Sequence, residues 1–147
     1  MAMKRTKQPW MTASDFGRSL PRGLGVNLLV GDMTAMEAFC REVLGANTIY
    51  VDEDFAAIEI LGSVFMLHAD HSYQDHEMAG SVIGADIRGA GMEIRLYGAD
   101  PDRIEKRARE AGHTVLSASI DKPHGLRECH IISPEGYVFV PSAASND

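Results

Sequence analysis

Apolar and polar positions alternate along the chain in an order that occurs twice. In the first half, an apolar run at 26–30 lies between glycines and predicts a strand. Asp32 then offers an N-cap carboxylate to a helix that Gly45 would end. The apolar residues of this helix fall on one face: Met36, Phe39, Cys40, Val43 and Leu44. Three more strands are predicted, at 48–51, 56–61 and 64–68.

The second half repeats this order. A strand is predicted at 93–97, followed by a helix that Asp100 caps, with Pro101 in its first turn and Gly112 after its end. Three strands are again predicted, at 114–120, 128–132 and 137–140. Such self-similarity indicates an internal repeat.

Each half is one βαβββ module, which is too small to bury a core alone. The sequence therefore predicts an α+β fold in which two βαβββ modules form paired, curved, mixed sheets around a shared trough. The expected boundaries are an N-terminal extension at 1–22, one domain at 23–141 and a C-terminal tail at 142–147. Within the domain, the modules are expected at 23–70 and 90–141, with a linker at 71–89.

The extension and the linker leave alternatives open. Trp10, Met11 and Phe16 are unusual in a free tail. One alternative is that they pin the extension across this subunit or a neighbour, and the other is that the extension is an unstructured leader. In the linker, His71 and His76 are expected to be exposed. Together with His68 they have no spacing that is typical of a closed zinc site.

Composition narrows the function classes. The apolar fraction of 45% and the charged fraction of 24% are ordinary for a globular protein. A net charge of −7 argues against nucleic acid as a partner, and there is no apolar run long enough for a membrane span. The first twenty residues lack a secretory apolar segment, so Cys40 and Cys129 are expected to be reduced in a cytoplasmic protein.

The double βαβββ pattern resembles the vicinal oxygen chelate superfamily, which includes glyoxalase I, bleomycin-resistance proteins, fosfomycin-resistance enzymes and extradiol dioxygenases. The matching segments include VNLLVGD at 26–32, GMEIRLY at 91–97, GLRE at 125–128 and SPEGYV at 133–138. The resemblance covers roughly residues 23–141. It implies a small-molecule ligand in the trough and a homodimer, because members of the superfamily usually dimerise.

The resemblance also implies where a metal would bind. Metal-using members place a ligand on the first strand of each half and a carboxylate on the last strand of each half. Here two of these positions fall on Gly25 and Val140, which cannot bind a cation. The other two fall on Glu93 and near Met66 or His68. We therefore expect a pocket without the standard metal, the alternative being a divalent ion such as Fe, Mn, Ni or Zn held by His68 and Glu93.

Glu93 is the candidate catalytic residue. It could act as a metal ligand, a general base or a partner for a cationic group of the ligand, or it could face solvent or pair with Arg95. His68 is either a trough residue or a hydrogen-bonded residue at a strand end. Arg95 is also a ligand-binding candidate. The others are Asn27 and Met66 on the trough wall, and Arg127 and Glu128 near its mouth, where they bind ligand or pair with each other.

Three functions remain open. The first is a binding protein of the bleomycin-resistance type, with a dry trough and no metal. The second is a metal-dependent lyase, isomerase or dioxygenase of the same superfamily. The third is a metal-free lyase or isomerase in which Glu93 is the base.

Overall fold

The computed structural model describes residues 9–145. Within these residues there are four α-helices and eight strands, and the strands belong to two βαβββ repeats. The first part of the chain forms α1 (Ala13–Ser19), β1 (Asn27–Val30), α2 (Met33–Ala38), β2 (Asn47–Val51), β3 (Phe55–Ile60) and β4 (Ser63–Ala69). The second part forms α3 (Ala79–Val82), β5 (Glu93–Tyr97), α4 (Pro101–Glu110), β6 (Thr114–Asp121), β7 (Leu126–Ile132) and β8 (Val138–Ala144). Helix α2 continues as a π-helical turn at Phe39–Val43.

The strands form two sheets with the same order. The first sheet has the order β1-β4-β3-β2 and the second has the order β5-β8-β7-β6. In each sheet the first pair of neighbours is parallel and the other pairs are antiparallel. The predicted α+β fold with two βαβββ modules is therefore confirmed.

The main helices begin and end at the residues that the sequence indicates. The Asp32 carboxylate accepts a hydrogen bond from Ala35 N at 3.0 Å, and the Asp100 carboxylate accepts one from Arg103 N at 3.2 Å. Gly45 and Gly112 have φ values of 77° and 83°, which L-residues with side chains rarely adopt. These local signals fix the helix positions against the sheets.

One core lies between the helix-bearing faces of both sheets. Phe139 of β8 is fully buried, and its ring centroid is 5.6 Å from that of Phe39 and 6.5 Å from that of Phe65. Arg107 of α4 also donates to Val43 O at the end of the π-helical turn, over 2.9 Å. The two modules therefore share the core that each lacks alone.

Three segments have more secondary structure than the sequence predicts. The linker contains a 3-10 turn at Asp70–Tyr73 and the short helix α3, and the last strand continues past 140 to Ala144. His71 is buried, and its Nε2 lies 2.8 Å from Asp54 Oδ1, so the expectation that it is exposed was wrong. The turn folds back onto the first sheet, whereas His76 is exposed as predicted.

Between Pro9 and Ser145, the chain contains no helix long and apolar enough to cross a membrane. Cys40 and Cys129 are both buried and free, as expected.

Candidate functional site

Each sheet has one face under its helix and one open face, and strand alternation decides which residue faces where. In the first sheet, Leu28 and Leu67 are buried in the shared core. Their strand neighbours Asn27, Met66 and His68 are half-buried on the opposite, open face. The register places Asn27 beside Met66 in β1 and β4, so the three predicted residues lie together.

The N-terminal extension covers this open face. Thr12 caps α1 by accepting a hydrogen bond from Asp15 N at 3.1 Å, and Phe16 of that helix is buried. The Phe16 ring packs edge-on against Phe55 of β3, with the centroids 5.1 Å apart. Of the two alternatives for the extension, the structure therefore supports the one in which it is pinned across its own subunit.

A cavity of about 410 Å³ lies between the extension and the first sheet. We call it the first cavity. Six of its fourteen lining residues are large aromatic or sulfur-containing ones: Trp10, Met11, Phe16, Phe55, Met66 and Tyr73. His68 and Asp54 add polar groups to the wall. A mostly apolar pocket of this size with a few polar groups is typical of a small-molecule site.

A chain of hydrogen bonds runs along one side of the first cavity. His68 Nδ1 lies 2.6 Å from Asn27 Oδ1, and Asn27 Nδ2 donates to the Tyr73 hydroxyl oxygen over 2.9 Å. Because Asn27 Oδ1 can only accept, His68 Nδ1 carries the proton in this arrangement. Within residues 9–145, the Tyr73 hydroxyl proton has no acceptor at hydrogen-bond distance. Tyr73 can therefore donate a hydrogen bond to a ligand.

The open face of the second sheet carries a charged group. Glu93 accepts hydrogen bonds from His130 Nε2 at 2.7 Å and from Arg95 Nη1 at 2.8 Å. Arg95 also pairs with Glu128, which is buried and accepts a weak hydrogen bond from Ser142 Oγ at 3.4 Å. Glu93, Arg95 and His130 line an open pocket of about 590 Å³, together with Leu116 and Val138. We call it the second pocket.

The partners of Glu93 determine its acidity. The hydrogen bond from His130, followed by that from Arg95, lowers the pKa of the Glu93 carboxyl below its usual value. The carboxylate is therefore ionised near neutral pH and is a weaker base than a free glutamate. The pairing with Arg95 is one of the alternatives that the sequence left open.

Arg127 lines neither the first cavity nor the second pocket. It is on the helix side of β7, where Nε and Nη2 each donate to Asp102 of α4 over 2.9 Å, and Nη1 donates to Asp121 over 3.2 Å. Arg127 and Glu128 are adjacent on a strand and so point to opposite faces. The predicted mutual pair between them is therefore not formed.

The predicted site residues form two separate groups within one chain. Met66 and His68 line the first cavity and Asn27 lies behind them, bonded to His68, whereas Glu93, Arg95 and Glu128 lie on the second sheet. The two pockets have no lining residue in common. His68 and Glu93, the alternative metal pair, therefore lie on different sheets, and each already has a hydrogen-bond partner. Across the described part of the chain, no three His, Cys, Asp or Glu side chains are grouped as a metal site would need.

Sequence reasoning missed several residues around the first cavity. Tyr73 lies in the linker, where no periodicity marked it, and Phe55 lies just before the predicted start of its strand. The sequence feature that pointed to this cavity was the presence of aromatic residues in the extension. On the second sheet, His130 lies two residues from Glu128 on the same face, as strand alternation requires.

Comparison with solved structures identifies the fold. At a TM-score of 0.68, the chain is similar to a glyoxalase/bleomycin resistance protein/dioxygenase family enzyme from Burkholderia phytofirmans PsJN, with 21% identity over 82% of this chain and 96% of that one. A glyoxalase-related enzyme from Fulvimarina pelagi matches at a TM-score of 0.66 and 18% identity, over 84% of this chain and 88% of that one. The chain has the glyoxalase/bleomycin resistance protein/dioxygenase fold.

A further structure with this glyoxalase-like fold is a glyoxalase/bleomycin resistance protein/dioxygenase from Nocardioides. It matches at a TM-score of 0.64 and 18% identity, over 90% of this chain and 91% of that one. No family model matches the chain, and no curated protein matches it in sequence. The glyoxalase-like fold therefore rests on structure, and it agrees with the resemblance seen in the repeated strand and helix pattern.

Proposed function

We propose that this protein binds a small organic molecule in the first cavity, as a glyoxalase/bleomycin-resistance-like binding protein without the standard metal site. The observation that carries the proposal is the lining of that cavity, which combines aromatic and methionine surface with the hydroxyl donor of Tyr73. Two residues expected from the sequence, Met66 and His68, line this cavity, and a third, Asn27, is hydrogen-bonded to His68 and Tyr73 of its wall.

The donor set argues against the standard metal site within one chain. Gly25 has no side chain, and Val140 is apolar and fully buried beside Arg95 on the second sheet. His68 and Glu93 remain, and they face different pockets. Two donors that do not converge cannot supply the three or four ligands of a divalent site.

Thermal stabilisation tests the proposed function. The full chain is screened against a set of neutral aromatic and amphipathic compounds, because a ligand that binds only the folded state raises the melting temperature. We expect stabilisation that is lost in Met66→Lys, which places a charge in the first cavity, and retained in Glu93→Gln on the second sheet. Stabilisation that depends on Glu93 instead, or none with any compound, would contradict the proposal.

Metal analysis separates the binding protein from the metal-dependent enzyme. Protein purified without added ions is measured for Fe, Mn, Ni and Zn. We expect substoichiometric amounts that do not change in His68→Ala or Glu93→Ala. A stoichiometric ion that either substitution removes would instead establish the alternative, a metal-dependent lyase, isomerase or dioxygenase.

We also propose a homodimer, as the resemblance implies. The open face of the second sheet supports it, because four large apolar residues there are exposed: Met92, Tyr97, Leu116 and Ile120. Light scattering is expected to give twice the mass of the chain, and Leu116→Lys is expected to weaken the association. A monomer at high concentration would refute this proposal.

The two free, buried cysteines fit the expected reducing, cytoplasmic location.

A further inference from the structure

Among the contacts of the described residues, side-chain packing joins the segment 9–20 to the first sheet. The hydrogen bonds of its backbone stay within the segment: Phe16 N donates to Thr12 O over 3.0 Å and Leu20 N donates to Gly17 O over 3.4 Å. Its ion pair, between Arg18 and Asp15, is also internal. The segment can therefore leave the sheet without breaking any backbone hydrogen bond to it that the described residues make.

The connection to the first strand is loose. Residues 20–25 are exposed and form no helix or strand, and Leu24 is 97% exposed. Few packed contacts and an exposed backbone are the features of segments that open at low free-energy cost. The segment thus has a tether on one side and a cavity beneath it.

An aromatic cluster forms the contact between the segment and the sheet. The Trp10 ring stacks on Tyr50 with the centroids 4.5 Å apart, and its centroid is 5.6 Å from that of Phe16. Trp10 is nevertheless 41% exposed, although it is the largest apolar side chain in the cavity lining. A large aromatic ring left half-exposed over a cavity has surface available for a ligand.

We propose that residues 9–20 are a lid over the first cavity, and that Trp10 and Phe16 contact a flat, uncharged aromatic ligand that carries an acceptor oxygen. This inference rests on the proposed function. Stacking against Trp10 and Phe16 selects a flat ring, and the Tyr73 hydroxyl donates to the acceptor oxygen. The largely apolar lining disfavours a charged ligand, because burying a charge without a partner is costly.

Trp10 provides a site-specific reporter because the chain has one tryptophan. Coumarin, which is flat, uncharged and carries a carbonyl oxygen, is titrated into the ¹⁵N-labelled full chain. We expect the single indole N–H signal to shift together with the amide signals of α1 and Tyr73. Signals of Glu93 and His130 on the second sheet should stay in place.

Calorimetry with variants tests the two parts of the inference separately. Trp10→Ala and Phe16→Ala should each weaken coumarin binding about tenfold, whereas the tether variant Leu24→Ala should not change it. Tyr73→Phe should weaken binding of coumarin but not of indole, which is flat but lacks an acceptor oxygen. The unchanged amide spectrum of each variant outside the segment serves as the folding control.

The outcomes distinguish this inference from the proposed function. If compounds bind in the first cavity but the indole signal and the affinity of Trp10→Ala are unchanged, the lid is refuted and the proposed function stands. If other compounds bind there and coumarin does not, the ligand class is refuted. If no compound binds in that cavity, the proposed function itself fails.

Discussion

Glu135 has a backbone conformation that side chains rarely adopt, with φ at 75°. Its contacts explain why a glutamate is tolerated there. Oε1 accepts hydrogen bonds from Gly31 N and Asp32 N, each at 2.9 Å, and Oε2 lies 3.4 Å from Arg88 Nε. The carboxylate thus joins the hairpin of the second module to the start of α2 in the first module, and these contacts offset the backbone strain.

We predict that Glu135→Ala lowers the free energy of unfolding by about 3 kcal/mol, because it removes two charge-assisted hydrogen bonds and leaves the strain in place. Glu135→Gly removes the same bonds but relieves the strained φ, so it should be less destabilising by about 1 kcal/mol. Urea denaturation measures both variants. Equal stability of the wild type and Glu135→Ala would show that the carboxylate contributes nothing.

Single residues also show which site predictions were within reach of the sequence. Asn27, Met66 and His68 were grouped correctly, because the period of two along a strand fixes which side chains share a face. The same rule, applied to the adjacent Arg127 and Glu128, would have excluded a common pocket. Tyr73 was out of reach, because a turn in the linker places it and only the fold brings that turn to Asn27.

At the scale of elements, helices and strands were predicted well wherever their signals are local. The caps Asp32 and Asp100 and the glycines after the helices act within one turn, and they stand at the predicted positions. The order within the linker and the extension depends instead on distant partners. Arg88, for example, is fixed by Asp70 at 2.6 Å and by Leu29 O at 3.1 Å. No local pattern encodes such contacts.

At the irregular part of β6, a side chain of α4 accepts a hydrogen bond from a backbone N–H that the strand pairing does not use. The register of β6 against β7 shifts between Ser117 and Ile120, so Ser119 N is not used in that pairing. Glu105 of α4 accepts from Ser119 N over 2.7 Å and from Arg109 Nε over 2.9 Å. The hydrogen bond from the Ser119 backbone is the main cause that lowers the pKa of the Glu105 carboxyl.

This lowered pKa predicts a pH dependence of stability. A group with a depressed folded pKa contributes stability above its unfolded pKa and loses that contribution as the pH falls through the folded pKa. We expect Glu105→Gln to lower the free energy of unfolding by about 1 kcal/mol near neutral pH. The difference in stability between this variant and the wild type should become smaller below about pH 4.5. Denaturation at several pH values measures it.

The control for this prediction lies on the same helix. Glu110 is 64% exposed and 3.9 Å from Lys106, so Glu110→Gln should change stability little at any pH. Glu105 would not be the group that stabilises the strand if Glu105→Gln changed the free energy of unfolding as little as Glu110→Gln. The same conclusion would follow if Glu105→Gln became more destabilising at lower pH.

At the scale of the whole molecule, the repeat predicted the shared core but not how the open faces are used. Both helix-bearing faces are buried against each other, as the size of a single module requires. The open faces of two equivalent sheets have diverged. The first sheet carries an aromatic cavity under the extension, and the second carries the charged group around Arg95. The duplication in sequence cannot reveal this difference, because it arises from side chains rather than from the pattern of elements.

A shared core also predicts how the chain unfolds. Phe139 of the second module is fully buried against Phe39 and Phe65 of the first. Phe139→Ala should cost about 3–5 kcal/mol and leave one unfolding transition, because the cavity weakens both modules together. Ile87→Ala, at a residue 70% exposed, removes apolar volume outside the core and should cost little. Calorimetry and tyrosine fluorescence measure the number of unfolding transitions. If each module were stable by itself, Phe139→Ala would show two separate transitions. The shared core would then not be what holds the modules together.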